Sequence, residues 1–179
     1  ALAISDPQRA QDLIVDLSDY LRHSFSSSST EEMVPLAKEI ELIQAYVALE
    51  RARMGSRLDF QLVADDYSGV EVPRLSLQPL VENAIRHGIY SLPAGGSVLL
   101  RIERGPEELH LSVSDSGVGM AQENWDSMLS VPRTPGVGLA NIHKRLLRYY
   151  CMGLSIKSTP GQGTTVSFSV PLSFTMRKG

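Results

Sequence analysis

The sequence predicts an α+β fold in which helices cover one face of a mostly antiparallel, mixed sheet, forming a two-layer α/β sandwich preceded by a helical segment. Three observations support this prediction. Apolar residues recur at helical spacing in several stretches, alternating apolar and polar residues mark short strands, and glycine- or proline-containing turns separate those strands. Elements of this kind pack around one core and leave the other face of the sheet to solvent or to a partner.

The composition is that of one globular domain with an appended element. The chain has 179 residues, of which 42% are hydrophobic and 21% charged, enough to bury a core without disulfides or metals. The net charge of -3, with acids and bases interleaved, gives no sign of a nucleic-acid-binding surface. The single cysteine, Cys151, excludes an intramolecular disulfide and fits a reducing compartment. No apolar run approaches the roughly 20 residues of a membrane span, so an anchor would lie in N-terminal regions outside this sequence.

The N-terminal segment, residues 1–30, is predicted to be a helix followed by a linker. Asp6 and Pro7 form a typical helix start. An apolar stripe then recurs every four residues, which requires a partner helix, the domain body or a second subunit; it consists of Leu13, Leu17, Leu21 and Phe25. A serine-rich run follows, so we expect a boundary near residue 30 and a main domain over residues 31–179. The apolar start of the chain is interpreted as a helix entered partway, in a longer protein.

The main domain is predicted to contain three helices and five strands. The helices are expected from Pro35 to Gly55, from just after Pro73 to Gly88, and over residues 137–150. The strands are expected over residues 58–63, 97–103, 109–114, 154–157 and 165–170.

The helix after Pro73 holds the most informative group of polar side chains. A helical wheel places its apolar residues on one side; these are Leu77, Leu80, Val81, Ala84 and Ile85. The opposite side carries Gln78, Glu82, Asn83, Arg86 and His87. A solvated helix face explains such a group equally well. Asparagine, however, is a mediocre helix former, and its amide oxygen is a competent Mg²⁺ ligand. The pattern therefore makes this face a candidate site.

Three glycine motifs lie further along the chain. Asp115-Ser116-Gly117-Val118-Gly119 directly follows a strand, where a carboxylate can accept a hydrogen bond from an exocyclic amine and glycines allow close approach to a ligand. Gly136-Val137-Gly138-Leu139-Ala140-Asn141 opens a helix, whose N-terminal N–H groups suit phosphates. Gly161-Gln162-Gly163-Thr164 precedes the last strand. Each motif alone is also explained by an ordinary turn or hinge, but the four motifs in this order form a strong conjunction.

In this order the motifs resemble the nucleotide boxes of the GHKL superfamily: Glu-Asn-Ala around Asn83, then Asp-x-Gly-x-Gly, Gly-x-Gly and Gly-x-Gly-Thr. That superfamily includes histidine kinases, type II topoisomerases, mismatch-repair ATPases and large heat-shock chaperones. Residues 16–22, 36–53 and 77–84 are similar to LytS/YehU-type bacterial sensor histidine kinases. The resemblance spans almost the whole chain and implies the GHKL, or Bergerat, form of the sandwich.

The resemblance also implies an ATP site at matching positions. Asn83 would coordinate a Mg²⁺ ion that bridges the phosphates, Glu82 would orient or deprotonate near the reacting phosphate, and Asp115 would accept from the adenine amino group. The other nucleotide-binding positions implied are Arg86, His87, Gly117, Gly119, Gly136, Gly138, Leu139, Asn141, Gly163 and Thr164. Residues from about 120 to 136 would form a mobile lid over ATP.

The family implies transfer of the ATP γ-phosphoryl group to a histidine, and then to a response regulator receiver domain, in a protein that forms a homodimer. Kinases of this type carry the acceptor in a His-Phe-x-Phe-Asn box, which this sequence lacks. Its four histidines are His23, His87, His110 and His143, and His23 matches no acceptor pattern. We therefore expect the acceptor upstream of residue 1, and a chain that binds ATP without autophosphorylating alone. The family also implies a cytoplasmic domain of a bacterial membrane protein.

Other functions stay open at this point. A GHKL ATPase would hydrolyse ATP to drive a conformational change, and steady hydrolysis without a histidine acceptor would favour it. A protein-serine kinase of the anti-sigma type fits the size but not the upstream helices. A non-catalytic nucleotide-binding or dimerisation module would be favoured by a folded chain that binds no ATP.

Overall fold

The structure is a computed structural model that describes residues 33–121 and 137–172. The predictions for residues 1–30, including the boundary near residue 30, lie outside the described residues. The same holds for Gly136 and most of the expected lid. Within the described ranges, no helix combines the length and the apolar character needed to cross a membrane.

After β1, the described chain repeats one pattern three times, a helix followed by two strands. In order, its elements are β1 (Met33–Pro35), α1 (Leu36–Met54), β2 (Leu58–Ala64), β3 (Glu71–Pro73), α2 (Gln78–Asn83) with a π-helical continuation (Ala84–Ile89), β4 (Gly96–Arg104), β5 (Glu108–Asp115), α3 (Val137–Tyr150), β6 (Ser155–Ser158) and β7 (Thr164–Pro171). A short 3₁₀ turn, Gly55–Arg57, joins α1 to β2.

The main sheet has five strands in the order β2-β4-β5-β7-β6. β2 runs parallel to β4, whereas the other neighbouring strands are antiparallel. In this register Asp115 pairs with Val98 on one side and with Thr164 on the other. The end of β5 is therefore held on both flanks by backbone ladders. A second sheet pairs β1 with β3 antiparallel.

The hydrophobic core lies between one face of the main sheet and the helices. The sheet supplies alternate residues of its three central strands, all at most 8% exposed: Val98, Leu100, Ile102, Leu109, Leu111, Val113, Val166, Phe168 and Val170. The helices supply a matching apolar layer, which includes Leu36, Ile43, Leu80, Ile85, Ile142 and Leu146. The predicted α+β sandwich with a mostly antiparallel mixed sheet is confirmed.

Helix α1 begins and ends where the sequence predicts. The helix follows Pro35, and Gly55 closes it with φ 62° while its N–H donates to the carbonyl of Arg51. Glycine suits this position because the left-handed conformation carries no Cβ penalty there. Four apolar residues that recur at helical spacing along it are all buried: Leu36, Ile40, Ile43 and Val47.

The helix expected directly after Pro73 begins later than predicted, at Gln78. Pro73 instead ends β3, which pairs with β1, and each of these strands has only three residues. A strand of that length shows no alternation to recognise in the sequence. The helix also changes character at its end, where the N–H of Tyr90 donates to the carbonyl of Ile85 at 2.9 Å, a π-helical spacing.

Replacing Leu100 by alanine tests the assignment of the buried face of the sheet. The Leu100 side chain is fully buried, so we expect Leu100→Ala to lower the free energy of unfolding by about 2–5 kcal/mol. The neighbouring residue Leu99 is partly exposed and lies on the opposite face, so Leu99→Ala is expected to cost at most about 1 kcal/mol. Urea denaturation of both variants measures the difference, and equal losses would contradict the assignment.

Candidate functional site

A cavity of about 280 Å³ lies between the helical layer and one end of the main sheet. Its walls come from α2 with its π-helical turn, the end of β5 and the loop that follows, the start of α3, and β7. The lining residues are Leu80, Asn83, Ala84, His87, Gly88, Val113, Asp115, Val118, Gly119, Met120, Leu139, Thr164 and Val166. Most of this lining is apolar, and few polar groups interrupt it, as in many small-molecule sites.

Asp115 is the carboxylate in this lining. One of its oxygens, Oδ1, accepts a hydrogen bond of 2.8 Å from the N–H of Gly117. Burial raises the pKa of the Asp115 carboxyl above its ordinary value, while the backbone N–H groups of Gly117 and Thr164 partly offset that rise. The result is an acceptor that is held by the backbone and faces a largely apolar space.

The backbone packs unusually closely beneath Asp115. A Cβ atom on Gly88 would lie 2.6 Å from Asp115 Oδ1, and one on Gly117 would lie 2.3 Å from the carbonyl oxygen of Gly88. The N–H of Val118 donates to that same carbonyl at 3.2 Å. At Gly117 the loop after β5 therefore touches the π-helical turn backbone to backbone, whereas a Cβ atom on Gly88 would meet the Asp115 side chain. Neither position leaves room for a Cβ atom in this arrangement.

A second close contact fixes the start of β7. Gly163 has φ +83°, and a Cβ atom there would lie 1.9 Å from the carbonyl oxygen of Asp115. Gly163 is buried and stays outside the lining, but the next residue, Thr164, contributes to it. Gly119, which also lines the cavity, has φ +59°. The glycines of the two motifs thus shape the cavity floor around Asp115.

The five polar residues of α2 do not share one face in the structure. Asn83 and His87 line the cavity. Gln78 is only 3% exposed, and its Nε2 donates to Oε1 of Glu82, which lies outside the lining. Arg86 is exposed. Gln78 and Glu82 are four residues apart, as are Asn83 and His87, so the predicted polar side divides into two neighbouring rows that meet different surroundings.

The start of α3 contributes one predicted residue to the cavity. Leu139 is buried and lines it, whereas Asn141 is exposed and lies outside the lining. Gly138 is the second residue of α3, which begins at Val137.

Several lining residues were not predicted as site residues. Leu80 and Ala84 were assigned only to the apolar side of the helix, and Val113 and Val166 belong to strands with ordinary alternation. Gly88 was read as a helix end. A glycine inside a helical pattern does carry a signal, because it weakens the helix and is retained there only for a packing or functional reason.

The family described as histidine kinase-, DNA gyrase B- and HSP90-like ATPases matches residues 71–173, a range that contains the entire cavity lining. The chain belongs to this family. A second family, histidine kinase, matches residues 1–58. The predicted resemblance to bacterial sensor histidine kinases of the GHKL superfamily is therefore confirmed.

Similar proteins of known name include sensor kinases of several bacteria. The chain is 33% identical to the Bacillus subtilis protein YwpD over 95% of its length. It is 33% identical to the sensor histidine kinase YpdA of Escherichia coli K12 and 30% identical to the sensor protein LytS of Oceanobacillus iheyensis. Each of these two matches covers 93% of the present chain. The chain spans 62% of the first relative and 29% and 30% of the other two.

Solved structures with the same fold are histidine kinase domains. The histidine kinase domain of the Erythrobacter litoralis blue-light-activated histidine kinase matches with a TM-score of 0.59 and 20% identity, covering 96% of this chain and 80% of that one. The histidine kinase ThkA, solved in complex with the response regulator protein TrrA, matches with a TM-score of 0.55 and 16% identity, covering 94% and 48%.

Adding a methyl group at Gly88 tests the close packing under Asp115. Alanine favours a helix over glycine by about 1 kcal/mol, so the local preference alone would stabilise the variant. The collision with Asp115 Oδ1 is expected to outweigh this, and Gly88→Ala should lower the free energy of unfolding by about 1–2 kcal/mol. The comparison variant is Gly105→Ala at the β4–β5 turn, where an added Cβ would meet only the Glu108 carbonyl oxygen, at 3.1 Å, so we expect a smaller loss there. Urea denaturation that shows Gly88→Ala at or above wild-type stability would contradict the packing.

The raised pKa of Asp115 predicts how its substitution changes stability with pH. A carboxyl group whose pKa is raised on folding favours the folded state when protonated, and that contribution is lost as the pH rises from near 3.8 through the raised pKa. The free energy of unfolding of Asp115→Asn should therefore increase relative to that of the wild type as the pH rises over this window. Urea denaturation between pH 4 and 7 measures the gain, with Asp59→Asn on the exposed edge strand as the control. A stability of Asp115→Asn that stays constant or falls relative to the wild type as the pH rises would contradict the burial argument.

Proposed function

We propose that this chain is the ATP-binding catalytic domain of a two-component sensor histidine kinase. The observation that carries the proposal is the position of Asp115, a carboxylate held at the end of a sheet strand and facing an apolar cavity. The match to the ATPase family covers all of the residues around it. A carboxylate in such surroundings is well placed to select a ligand that offers a hydrogen-bond donor on a flat, apolar body.

The base of ATP fits the Asp115 end of the cavity. Adenine has apolar ring faces and an exocyclic amino group at its edge. The apolar walls supplied by Val113, Met120 and Leu139 suit the ring faces, and the free lone pairs of the Asp115 carboxylate suit the amino group. Gly117, Gly119 and Gly163 keep the surrounding backbone close enough to form this narrow space, and Thr164 adds a hydroxyl to its wall.

The phosphates fit the opposite wall, along α2. Asn83 presents an amide oxygen of the kind that Mg²⁺ accepts, and the remaining ligands of a six-coordinate ion would be phosphate oxygens and water. Bound there, the ion would supply charge neutralisation at the phosphates. Positive charge or hydrogen-bond donors come from His87 in the lining and from the exposed Arg86. We assign Glu82, the neighbour of Asn83 in the sequence, to orienting the reacting group.

The remaining positions implied by the family complete the proposed site. We assign Gly136, Gly138 and Asn141 to the phosphate-facing start of α3, where the first N–H groups of a helix favour an anion. Leu139, the first described lining residue of that helix, then contacts the base.

Phosphoryl transfer to histidine is favoured over simple hydrolysis by the N-terminal part of the chain. Residues 1–58 match the histidine kinase family, and two of the relatives are named as a sensor histidine kinase and a sensor protein. The chain lacks the His-Phe-x-Phe-Asn box, so the acceptor histidine would come from another segment. In the intact protein we expect a homodimer, a response regulator receiver domain as the next acceptor, and a cytoplasmic position beneath a membrane anchor.

Calorimetric titration with ATP, in the presence and absence of Mg²⁺, tests the proposed site. The wild-type chain should bind ATP more tightly with Mg²⁺. Asp115→Ala should weaken binding at least about tenfold, the scale of one lost charge-assisted hydrogen bond. Asn83→Ala should keep Mg²⁺-free binding but lose the gain that Mg²⁺ brings.

The exposed Asp59 on β2 offers the matched control, since Asp59→Asn should leave both affinities unchanged. A folded wild-type chain without affinity for adenine nucleotides would overturn the proposal and favour a dimerisation module. Steady ATP hydrolysis without any histidine acceptor would favour the ATPase alternative.

A further inference from the structure

A carboxylate outside the cavity is buried in the helical layer. Glu39 lies on α1 and is only 2% exposed. Its oxygens accept three backbone hydrogen bonds from the segment that leads into α2: from Leu75 at 2.7 Å, from Leu77 at 3.1 Å and from Gln78 at 3.3 Å. Glu39 therefore caps the N-terminal end of α2 from a neighbouring helix, where first-turn N–H groups lack partners within their own helix.

The capped segment needs this support because its backbone is strained. Leu75 has φ 55°, in the left-handed region that non-glycine residues rarely adopt. Burial raises the pKa of the Glu39 carboxyl, although the three backbone N–H groups and the charge of Arg145 each lower it. Burial therefore disfavours the charge of Glu39, whereas its hydrogen bonds and the charge of Arg145 favour it.

A second helix grips the same segment from the other side. Arg145 of α3 donates to the carbonyl oxygen of Leu75 at 2.8 Å. Its guanidinium is partly buried, and burial lowers its pKa while the negative charge of Glu39 raises it. The Leu75 peptide is thus held through its N–H by α1 and through the carbonyl of the same residue by α3. We use the name α2 clamp for the segment 74–78 together with the two side chains that hold it, Glu39 and Arg145.

The clamp connects directly to the proposed phosphate side of the cavity. The backbone N–H of Gln78 donates to Glu39, and the Gln78 side chain donates to Glu82. The next residue, Asn83, lines the cavity. Asp115 is held differently, by the ladders of β5 with β4 and β7. The base side of the cavity therefore has supports of its own, in addition to the contact of Asp115 with Gly88 at the end of α2.

We propose that Glu39 is a positioning residue for nucleotide binding, which acts through the α2 clamp to place Asn83 and Glu82 toward the phosphates and their metal ion. The proposal rests on the proposed function and deepens it, because it assigns a role to a residue that contacts no nucleotide. Since α1 and α3 both contribute to the clamp, a relative shift of either helix would move the start of α2 and the phosphate side of the site more than the base side, which the strand ladders also hold.

The substitution Glu39→Gln separates positioning from folding. Glutamine has the same shape, but one of its two terminal groups is an NH₂ donor. Backbone N–H groups donate to both carboxylate oxygens of Glu39. The NH₂ group of a glutamine at this position would therefore face at least one backbone N–H group, and neither of the two can accept a hydrogen bond. The start of α2 is expected to shift while the apolar core stays intact. Glu41→Gln is the matched control, because Glu41 is exposed on the same helix and pairs only with the exposed Lys38 in the described structure.

The experiment compares adenosine, ATP and ATP with Mg²⁺ by calorimetry on the full 179-residue chain. Adenosine reports the base side alone, and the gain on adding Mg²⁺ reports the phosphate side. For Glu39→Gln we expect adenosine affinity within about twofold of wild type and a Mg²⁺-dependent gain reduced about tenfold or more. Arg145→Lys, which keeps the charge but alters the hydrogen bond to Leu75, should reduce the same gain.

The outcomes distinguish the two proposals. If the wild type binds ATP with a Mg²⁺ gain and Glu39→Gln behaves like Glu41→Gln, the positioning role is wrong and the proposed function stands. If adenosine and ATP affinities fall in parallel, or the variant unfolds while Arg145→Lys folds and keeps its full gain, Glu39 serves folding only and the proposal fails. A wild type that binds no ATP would overturn the proposed function itself.

Discussion

The backbone of the π-helical turn at Gly88 lies so close to the loop after β5 that a Cβ atom on Gly117 would meet the Gly88 backbone, and a Cβ atom on Gly88 would meet the Asp115 side chain. This contact sets the position of the helical layer relative to the end of the sheet. The hydrogen bond from Val118 to the Gly88 carbonyl fixes it, and the Asp115 carboxylate sits directly beside it. Where the two backbones diverge, the space left between them is the cavity. A larger residue at the contact would push the helical layer away from the sheet and displace the cavity walls relative to each other.

Two kinds of support hold the walls of that cavity. The backbone hydrogen bonds of the β4–β5 and β5–β7 ladders hold Asp115 and Thr164, and these ladders continue along the three strands. The α2 wall depends on a short helix that begins after a strained residue and is capped by a buried charge from α1. Short helices have little stability of their own, so most of the stability of α2 must come from packing and capping.

The elements that sequence reasoning located well are those with many repeats of a pattern. Helix α1 runs for 19 residues and β4 and β5 for nine and eight, so their periodicity is unambiguous. β1 and β3 have three residues each and show no period, which is why the start of α2 was predicted too early. The π-helical turn was missed for a related reason. A helical wheel assumes a constant angle per residue, and that assumption fails after Asn83.

The sequence by itself determined the fold class, the family and the identity of the polar groups around the cavity, because glycine motifs and apolar periodicity are local properties of the chain. It pointed to Asp115 and Asn83 through the order of the motifs. Only the tertiary structure decided that Asn83 and His87 enter the cavity lining, and that Glu39, far along the chain, caps α2. These outcomes depend on how separate elements pack. Burial of a charge and contact between two backbones arise between residues distant in sequence, where no local pattern records them.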